Sequence, residues 1–180
     1  LKGSKHGGAN LKVMEMIEDI KAHVDDCTDE DKMYEYICKI LRKEAFDHSG
    51  LVYGMGHAVY TVSDPRAVLL KEKAQELARV MGKEDEFKMY ENIEKLTPKA
   101  FEDIRGQRKV MCANVDLYSG FVYSMLNIPK DLYTSLFAVA RVAGWTAHRI
   151  EELVAGQKII RPAYKTVFKK GRQYINIDDR

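Results

Sequence analysis

Apolar residues recur at helical spacing along most of this chain. The first stripe repeats every three or four residues, the period of one helix face, and consists of Val13, Ile17, Ile20 and Val24. A second stripe consists of Met33, Ile37, Ile40 and Leu41. Thr28 precedes it and Asp31 stands three residues after Thr28, close to a capping box. We therefore expect one helix through the first stripe and a second that begins at Thr28 and continues to Phe46.

The clearest helix signal lies between Asp64 and Gly82. Asp64 is suited to cap the helix, Pro65 to occupy its first position and Gly82 to end it. The expected buried stripe consists of Ala67, Leu70, Ala74, Leu77 and Met81. Start signal, stop signal and periodicity agree here, so both ends of this helix are predicted.

Two further helical patterns follow. The segment EDEFKMYENIEKLTPKAFEDIRG is expected to break before Pro98 and to resume after it, because proline disfavours helical backbone in the residue that precedes it. The segment NVDLYSGFVYSMLNI is apolar and is expected to form a short helix that stops before Pro129.

A long helix is predicted from Thr134 to Gly156. One of its faces carries small residues that would let another helix approach closely, namely Ala140, Ala143, Gly144 and Ala147. From Gln157 onward the helical pattern is lost, and we expect an extended tail with at most a short strand. The fold class is therefore predicted to be all-α.

Composition limits the possible partners. The chain has 180 residues, of which 46% are hydrophobic and 31% are charged, which fits one globular domain or one domain plus part of another. Its net charge is +2, so charge gives no reason to expect nucleic acid or an anionic membrane as a partner. No apolar run approaches the roughly 18 residues of a membrane span.

The three cysteines, Cys27, Cys38 and Cys112, are odd in number and match no metal-binding spacing. We expect reduced thiols in a cytoplasmic protein without a secretory signal. No metal site is expected.

The stretch GHAVYTVSDPR, from Gly56 to Arg66, carries the most specific chemistry. A histidine, His57, follows two glycines, and an arginine stands in the first turn of the predicted helix after Asp64. A positive charge there opposes the helix dipole at a cost of up to about 1 kcal/mol. This indicates a bound anion near Arg66. The alternative interpretation is that the glycines simply form a turn and Arg66 is solvated.

Further candidates stand in four other segments. Asp116 lies in an apolar stretch, where a carboxylate tends towards a raised pKa that suits a general base; alternatively it is a helix cap. Arg141 lies inside an apolar helix, where arginine is usually paired or bound to an anion. His6 precedes two glycines at a predicted helix start, and Arg161 precedes Pro162; the alternative for each is a solvated surface residue. Together these residue types suit a reaction at the ketone carbon of a dicarboxylate.

The motifs that contain these residues occur in the order of one known family. They are HGGAN, GMGHAVYTVSDPRA, NVDLYSG, ARVAGWTAHRIEE and IIRP. In these motifs the chain resembles the C-terminal part of the citrate synthase family, which includes 2-methylcitrate synthases. The resemblance implies the helical small domain of that fold over residues 8–127. It implies a long helix and an extended tail of the large domain over residues 128–180, with the rest of the large domain absent.

The resemblance also implies an acyltransferase of the tricarboxylic acid cycle that condenses acetyl-CoA with oxaloacetate. His6 would polarise the thioester carbonyl of acetyl-CoA and Asp116 would remove its methyl proton. His57 would hydrogen-bond the ketone of oxaloacetate and protonate the alkoxide as it forms. The carboxylates would be held by Arg66, Arg141 and, from the other subunit of a homodimer, Arg161. The coenzyme A site would be lined by Val52, Gly54, Met55, Gly56, Lys109 and Asn114. No permanently bound cofactor is implied, since acetyl-CoA is a co-substrate.

Some features depart from the family pattern. The family often has a basic residue between Val59 and Val62, whereas this chain reads VYTV there. Ala113 stands where proline is common in the family. Family members are more than twice as long, and their N-terminal half supplies another histidine for oxaloacetate. We therefore expect a C-terminal fragment that is inactive alone. Two alternatives are a 2-methylcitrate synthase that uses propionyl-CoA, and a non-catalytic fragment that binds coenzyme A and self-associates through its last helix.

Overall fold

The structure, a computed structural model, describes residues 7–106, 108, 110–155 and 176. Its helices are α1 (Ala9–His23), α2 (Glu30–Leu41), α3 (Pro65–Met81), α4 (Glu84–Arg105), α5 (Val115–Met125) and α6 (Tyr133–Ala155), with a 3₁₀ turn at Lys130–Leu132. Within the described residues there is no strand, and the only β-pairing is an isolated antiparallel bridge between Met55 and Ala113. The predicted all-α class is confirmed.

The end signals of α3 act as predicted. The Asp64 carboxylate accepts a hydrogen bond from the Arg66 backbone N–H, Pro65 is the first helical residue, and Gly82 takes the left-handed conformation that ends the helix. The buried face differs slightly from the predicted stripe. Met81 is 47% exposed, whereas Ala78 is fully buried.

The predicted start and end of α2 are wrong. Its cap is Asp29, whose carboxylate accepts hydrogen bonds from the backbone N–H groups of Asp31 and Lys32. The Thr28 hydroxyl instead donates to Asp26 at 2.6 Å. The helix ends at Leu41 rather than Phe46, because the chain reverses through positive φ angles that begin at Lys43. The predicted apolar stripe is buried.

The predicted break before Pro98 is also wrong, since α4 continues through it. A proline inside a helix costs about 3 kcal/mol. Leu96, Thr97 and Ala100 are buried around it, and the Thr97 hydroxyl donates to the carbonyl of Ile93 at 2.6 Å. Packing of this face against α2 therefore outweighs the local preference.

Helix α5 contacts three other helices, α1, α3 and α4. Leu117, Tyr118 and Phe121 are fully buried. The cap of α5 is Asn114, so the interpretation of Asp116 as a cap is wrong. The core thus fixes the helix that carries the candidate base.

The chain divides into two compact units, residues 1–141 and 142–180. The second unit contains the end of α6, where Ala143, Gly144 and Ala147 are exposed, so the predicted approach of another helix stays a prediction. The predicted extended tail falls outside the described residues. The division into domains at residues 8–127 and 128–180 also stays a prediction. No helix of the described ranges combines the length and hydropathy that crossing a membrane requires.

Candidate active site

Two loops are hydrogen-bonded to each other beside α5. The Gly56 N–H donates to the Cys112 carbonyl at 2.7 Å, and the Asn114 N–H donates to the Gly54 carbonyl at 2.9 Å. The Asn114 side chain donates to the Gly56 carbonyl at 2.9 Å and accepts from the Asp116 N–H at 2.9 Å. The segment before His57 is therefore fixed to the start of the helix that carries Asp116.

The loop after Gly56 sets the proton position on His57. Its Nδ1 accepts hydrogen bonds from the N–H groups of Val59 and Tyr60 at 3.0 and 3.1 Å. A ring nitrogen that accepts hydrogen bonds carries no proton, so the ring's N–H is at Nε2. The exposed His57 thus presents Nε2 as a hydrogen-bond donor.

Arg66 is paired with Asp64, the residue that caps its own helix. Its Nε and Nη2 donate to the two carboxylate oxygens of Asp64 at 3.0 and 2.8 Å. The Asp64 side chain is fully buried, while that of Arg66 is 46% exposed. The anion that offsets the unfavourable position of Arg66 is therefore a carboxylate of this chain, and the interpretation of Arg66 as simply solvated is wrong.

The same guanidinium lies next to His57. Arg66 Nη2 is 3.4 Å from His57 Nε2, and the guanidinium lies 5.5 Å from the centroid of the Tyr60 ring. Both nitrogens are donors, so they cannot form a hydrogen bond with each other. Two adjacent donors can share one acceptor oxygen, which makes this pair a site for a carbonyl or carboxylate group.

The Asp64 pair gives a pH-dependent contribution to stability. Hydrogen bonds from Arg66 lower the pKa of the Asp64 carboxyl, so the pair stabilises the fold fully above the unfolded-state pKa of about 3.9. That contribution is lost as the pH falls through the folded-state pKa. We expect urea unfolding to show that Asp64→Asn destabilises the protein at neutral pH, and that the difference from wild type shrinks on acidification below about pH 4. A difference that does not change with pH would contradict the pairing.

Asp116 is largely enclosed near the start of α5. Burial raises the pKa of its carboxyl, and the nearby Arg66, Arg141 and His57 act in the opposite direction. The structure therefore brings these four groups close enough to interact. The raised pKa was predicted from the apolar residues around Asp116, and its direction is confirmed.

Arg141 faces a cavity that Asp116 also lines. The cavity has a volume of about 120 Å³ and is lined by Gly7, Ala9, Asn10, Val115, Asp116, Ser119, Tyr123, Tyr133, Phe137 and Arg141. The guanidinium lies on the Phe137 ring, 3.4 Å from its centroid, and donates to the Phe137 carbonyl at 3.2 Å. No described carboxylate forms a salt bridge with Arg141. A cation and a half-buried carboxylate thus share a space large enough for a small organic acid or a few waters.

The other predicted site residues divide into two groups. The hydrogen-bonded loops bring Gly54, Gly56 and Asn114 together, with Met55 bridged to Ala113 and Val52 buried nearby. Their predicted role in binding coenzyme A stays a prediction. The other group, His6, Lys109 and Arg161, lies outside the described residues.

Sequence reasoning missed three polar residues at this site. They are Asp64 as the partner of Arg66, and Asn10 and Ser119 in the wall of the cavity, both only 8% exposed. Asn10 and Ser119 stand within the HGGAN and NVDLYSG motifs as polar residues among small or apolar ones. That pattern was the available signal for buried polar contacts.

Known proteins with similar sequences and structures share one family. The family model "Citrate synthase, C-terminal domain" matches residues 1–163. Over all 180 residues, the chain is 37% identical to the citrate synthase of Synechocystis sp. and 38% identical to that of Haloferax volcanii. It spans 41% and 42% of the length of those two proteins. The citrate synthase of Thermoplasma acidophilum, solved with carboxymethyl coenzyme A and oxaloacetate, matches the whole chain with a TM-score of 0.66 and 30% identity over 44% of its own length. Because the family model covers most of the chain and the fold agrees with it, this chain belongs to the citrate synthase family.

Proposed function

We propose that the protein to which these residues belong condenses acetyl-CoA with oxaloacetate to give citrate and coenzyme A. The observation that carries this proposal is the group formed by a half-buried carboxylate, Asp116, and the surrounding Arg66, Arg141 and His57. The Thermoplasma acidophilum relative was solved with oxaloacetate and a coenzyme A analogue, which supports the same substrate class here. Since the chain spans about two fifths of its relatives, the activity of the whole protein is proposed from that similarity.

Asp116 is proposed to begin the reaction as the general base. It removes a proton from the methyl group of acetyl-CoA, and the electron pair of that C–H bond forms a C=C bond. The thioester oxygen takes a proton from the group that polarises it, which gives an enol. His6 is proposed to polarise the thioester carbonyl, as the family resemblance implies. A carboxylate with a raised pKa is a stronger base than an exposed one and suits this step.

His57 is proposed to protonate the second substrate. The enol carbon attacks the ketone carbon of oxaloacetate and forms the new C–C bond, while the ketone oxygen takes the Nε2 proton of His57. Arg66 Nη2, 3.4 Å from Nε2, can bind the neighbouring carboxylate, and Arg141 the other one. Hydrolysis of the citryl-CoA thioester by water then releases citrate and coenzyme A.

The cellular setting is part of the proposal. The three cysteines are unpaired, which supports a reducing, cytoplasmic location. A homodimer is proposed because the resemblance gives Arg161 a role in the neighbouring subunit's site.

Citrate formation tests the proposal directly. The 180-residue chain and a fusion of it to the part of the Synechocystis citrate synthase outside the matched region are each supplied with acetyl-CoA and oxaloacetate. We expect mass spectrometry to detect citrate from the fusion and none from the chain alone. Mass spectrometry is preferred because free thiols would react with a thiol dye.

Three outcomes would contradict parts of this proposal. A folded fusion that forms no citrate and binds no oxaloacetate would overturn the activity. Faster turnover of propionyl-CoA than of acetyl-CoA would replace citrate by 2-methylcitrate as the product. Citrate formed by the chain alone would show that these 180 residues hold a complete site.

A further inference from the structure

The start of α1 is fastened to two other helices by side-chain hydrogen bonds. The Thr134 hydroxyl, in the first turn of α6, donates to the Gly7 carbonyl at 2.9 Å. The Asn10 amide Nδ2 donates to the Ser119 hydroxyl oxygen on α5, 109 positions along the chain. These two bonds hold Gly7 and Asn10, which lie two positions before and one position after Ala9, the first residue of α1.

The Asn10–Ser119 hydrogen bond is buried, and the arrangement around it has an energetic cost. Both residues are 8% exposed, and Asn10 Oδ1 is buried without a hydrogen-bond partner among the described residues. An unpaired buried acceptor destabilises a fold. The contact is therefore poorly explained by stability alone, and buried polar groups of this kind call for a specific reason.

Close packing next to Ser119 holds the same two helices together. Gly120 has no side chain, and a Cβ there would collide with the Met14 side chain on α1. The Met14 side chain therefore packs directly against the backbone of α5. With Met14 against Gly120 and Asn10 bonded to Ser119, two adjacent contacts hold α1 against the same turn of α5.

Three of the residues that these contacts join also line the cavity that holds the carboxylate of Asp116, the proposed base. Gly7, Asn10 and Ser119 line the cavity together with Asp116. Ser119 follows Asp116 by three residues on α5, so the two side chains are neighbours on one helix face. Moving the start of α1 would open the wall that encloses the carboxylate.

We propose that Ser119, through Asn10, and Thr134, through Gly7, are positioning residues that fix the start of α1 over Asp116. This inference rests on the proposed function, because it gives the hydrogen bonds a purpose: they keep the wall of the cavity closed around the carboxylate that acts as the base. Neither Ser119 nor Thr134 needs to touch a substrate for this role.

The titration of Asp116 reports on the enclosure without requiring turnover. The charged and titratable groups that act on its carboxyl are Arg66 of α3, Arg141 of α6, His57 of the loop and Asp64 before α3. None of these is changed by substitutions at Ser119 or Thr134. If the start of α1 moves away, water reaches the carboxyl and burial raises its pKa less.

The first experiment uses carboxyl ¹³C NMR to titrate Asp116 in the 180-residue chain. We expect Ser119→Ala and Thr134→Val to lower the Asp116 pKa towards that of an exposed aspartate, and Thr134→Ser to restore it. The matched control is Thr97→Val, which removes the buried hydroxyl that donates to Ile93 at 2.6 Å in α4, away from the cavity. An Asp116 pKa that is unchanged in both test variants, or equally lowered by Thr97→Val, would overturn the proposal.

The second experiment measures steady-state kinetics in the fusion with the Synechocystis part. Misplacement of reacting groups lowers turnover more than binding, so each test variant should lose roughly 10- to 100-fold in kcat with KM for oxaloacetate little changed. A loss in KM alone would overturn the positioning role. If the folded fusion forms no citrate and binds no oxaloacetate, the proposed function fails, and the Asp116 titration still decides whether these residues enclose the carboxylate.

Discussion

An Asp116→Asn variant of the fusion is expected to lose about 10²- to 10⁴-fold in citrate formation, the range that a positioned general base contributes. The amide has nearly the same shape as the carboxylate but cannot accept the methyl proton. Asp116 is half-buried, and its carboxyl has a raised pKa, so removal of its charge is not expected to disrupt the fold. The loss should appear in kcat rather than in the affinity for oxaloacetate, measured by titration calorimetry.

A matched control separates catalysis from helix electrostatics. Asp116 and Asp85 are both the second residue of their helices, α5 and α4. Each carboxylate interacts favourably with its helix dipole by up to about 1 kcal/mol, but Asp85 is exposed and lies outside the cavity lining. Asp85→Asn should therefore leave citrate formation unchanged. Retention of activity in Asp116→Asn, or an equal loss in Asp85→Asn, would remove Asp116 from the role of base.

Local sequence signals predicted the helices well, but they failed where contacts between residues far apart in the sequence outweigh them. The boundaries of α3 follow from Asp64, Pro65 and Gly82, because each acts through the backbone beside it. Pro98 also acts locally, yet the packing of α4 against α2 keeps the helix continuous. Thr28 was a plausible cap, but Asp29 accepts two backbone hydrogen bonds, and a carboxylate also interacts more favourably with the helix dipole.

The sequence predicted many of the residues of the candidate site, but it did not predict how those residues are arranged. An arginine at a helix start indicated an anion, and the structure supplies one in Asp64, two positions earlier. The tautomer of His57 depends on the loop that turns the N–H groups of Val59 and Tyr60 towards it, which residue types do not reveal. The contact between Asn10 and Ser119 joins positions 109 residues apart. Such a contact follows only from the packing of α1 against α5.

The largest effect on stability is expected at Gly54. Its φ is +86°, and a Cβ added there would lie 2.9 Å from Leu117 Cβ and 3.0 Å from Leu117 Cα. Leu117 is fully buried in α5, so it cannot move aside without disturbing the core. Gly54→Ala should lower the free energy of unfolding by roughly 2–5 kcal/mol, the sum of a left-handed backbone penalty and overpacking. This is a large part of the stability of a typical domain.

Gly56 provides the control for this prediction because it has the same φ of +86° and nothing within 4 Å of an added Cβ. Gly56→Ala should cost only the backbone penalty of about 1–2 kcal/mol. The difference between the two variants in urea unfolding isolates the contact with Leu117, and equal losses would show that this contact is relaxed in solution. Because Leu117 directly follows Asp116, displacement of Leu117 should also shift the carboxylate. Gly54→Ala should therefore reduce citrate formation by the fusion even where the protein remains folded, whereas Gly56→Ala leaves the position of Asp116 unchanged.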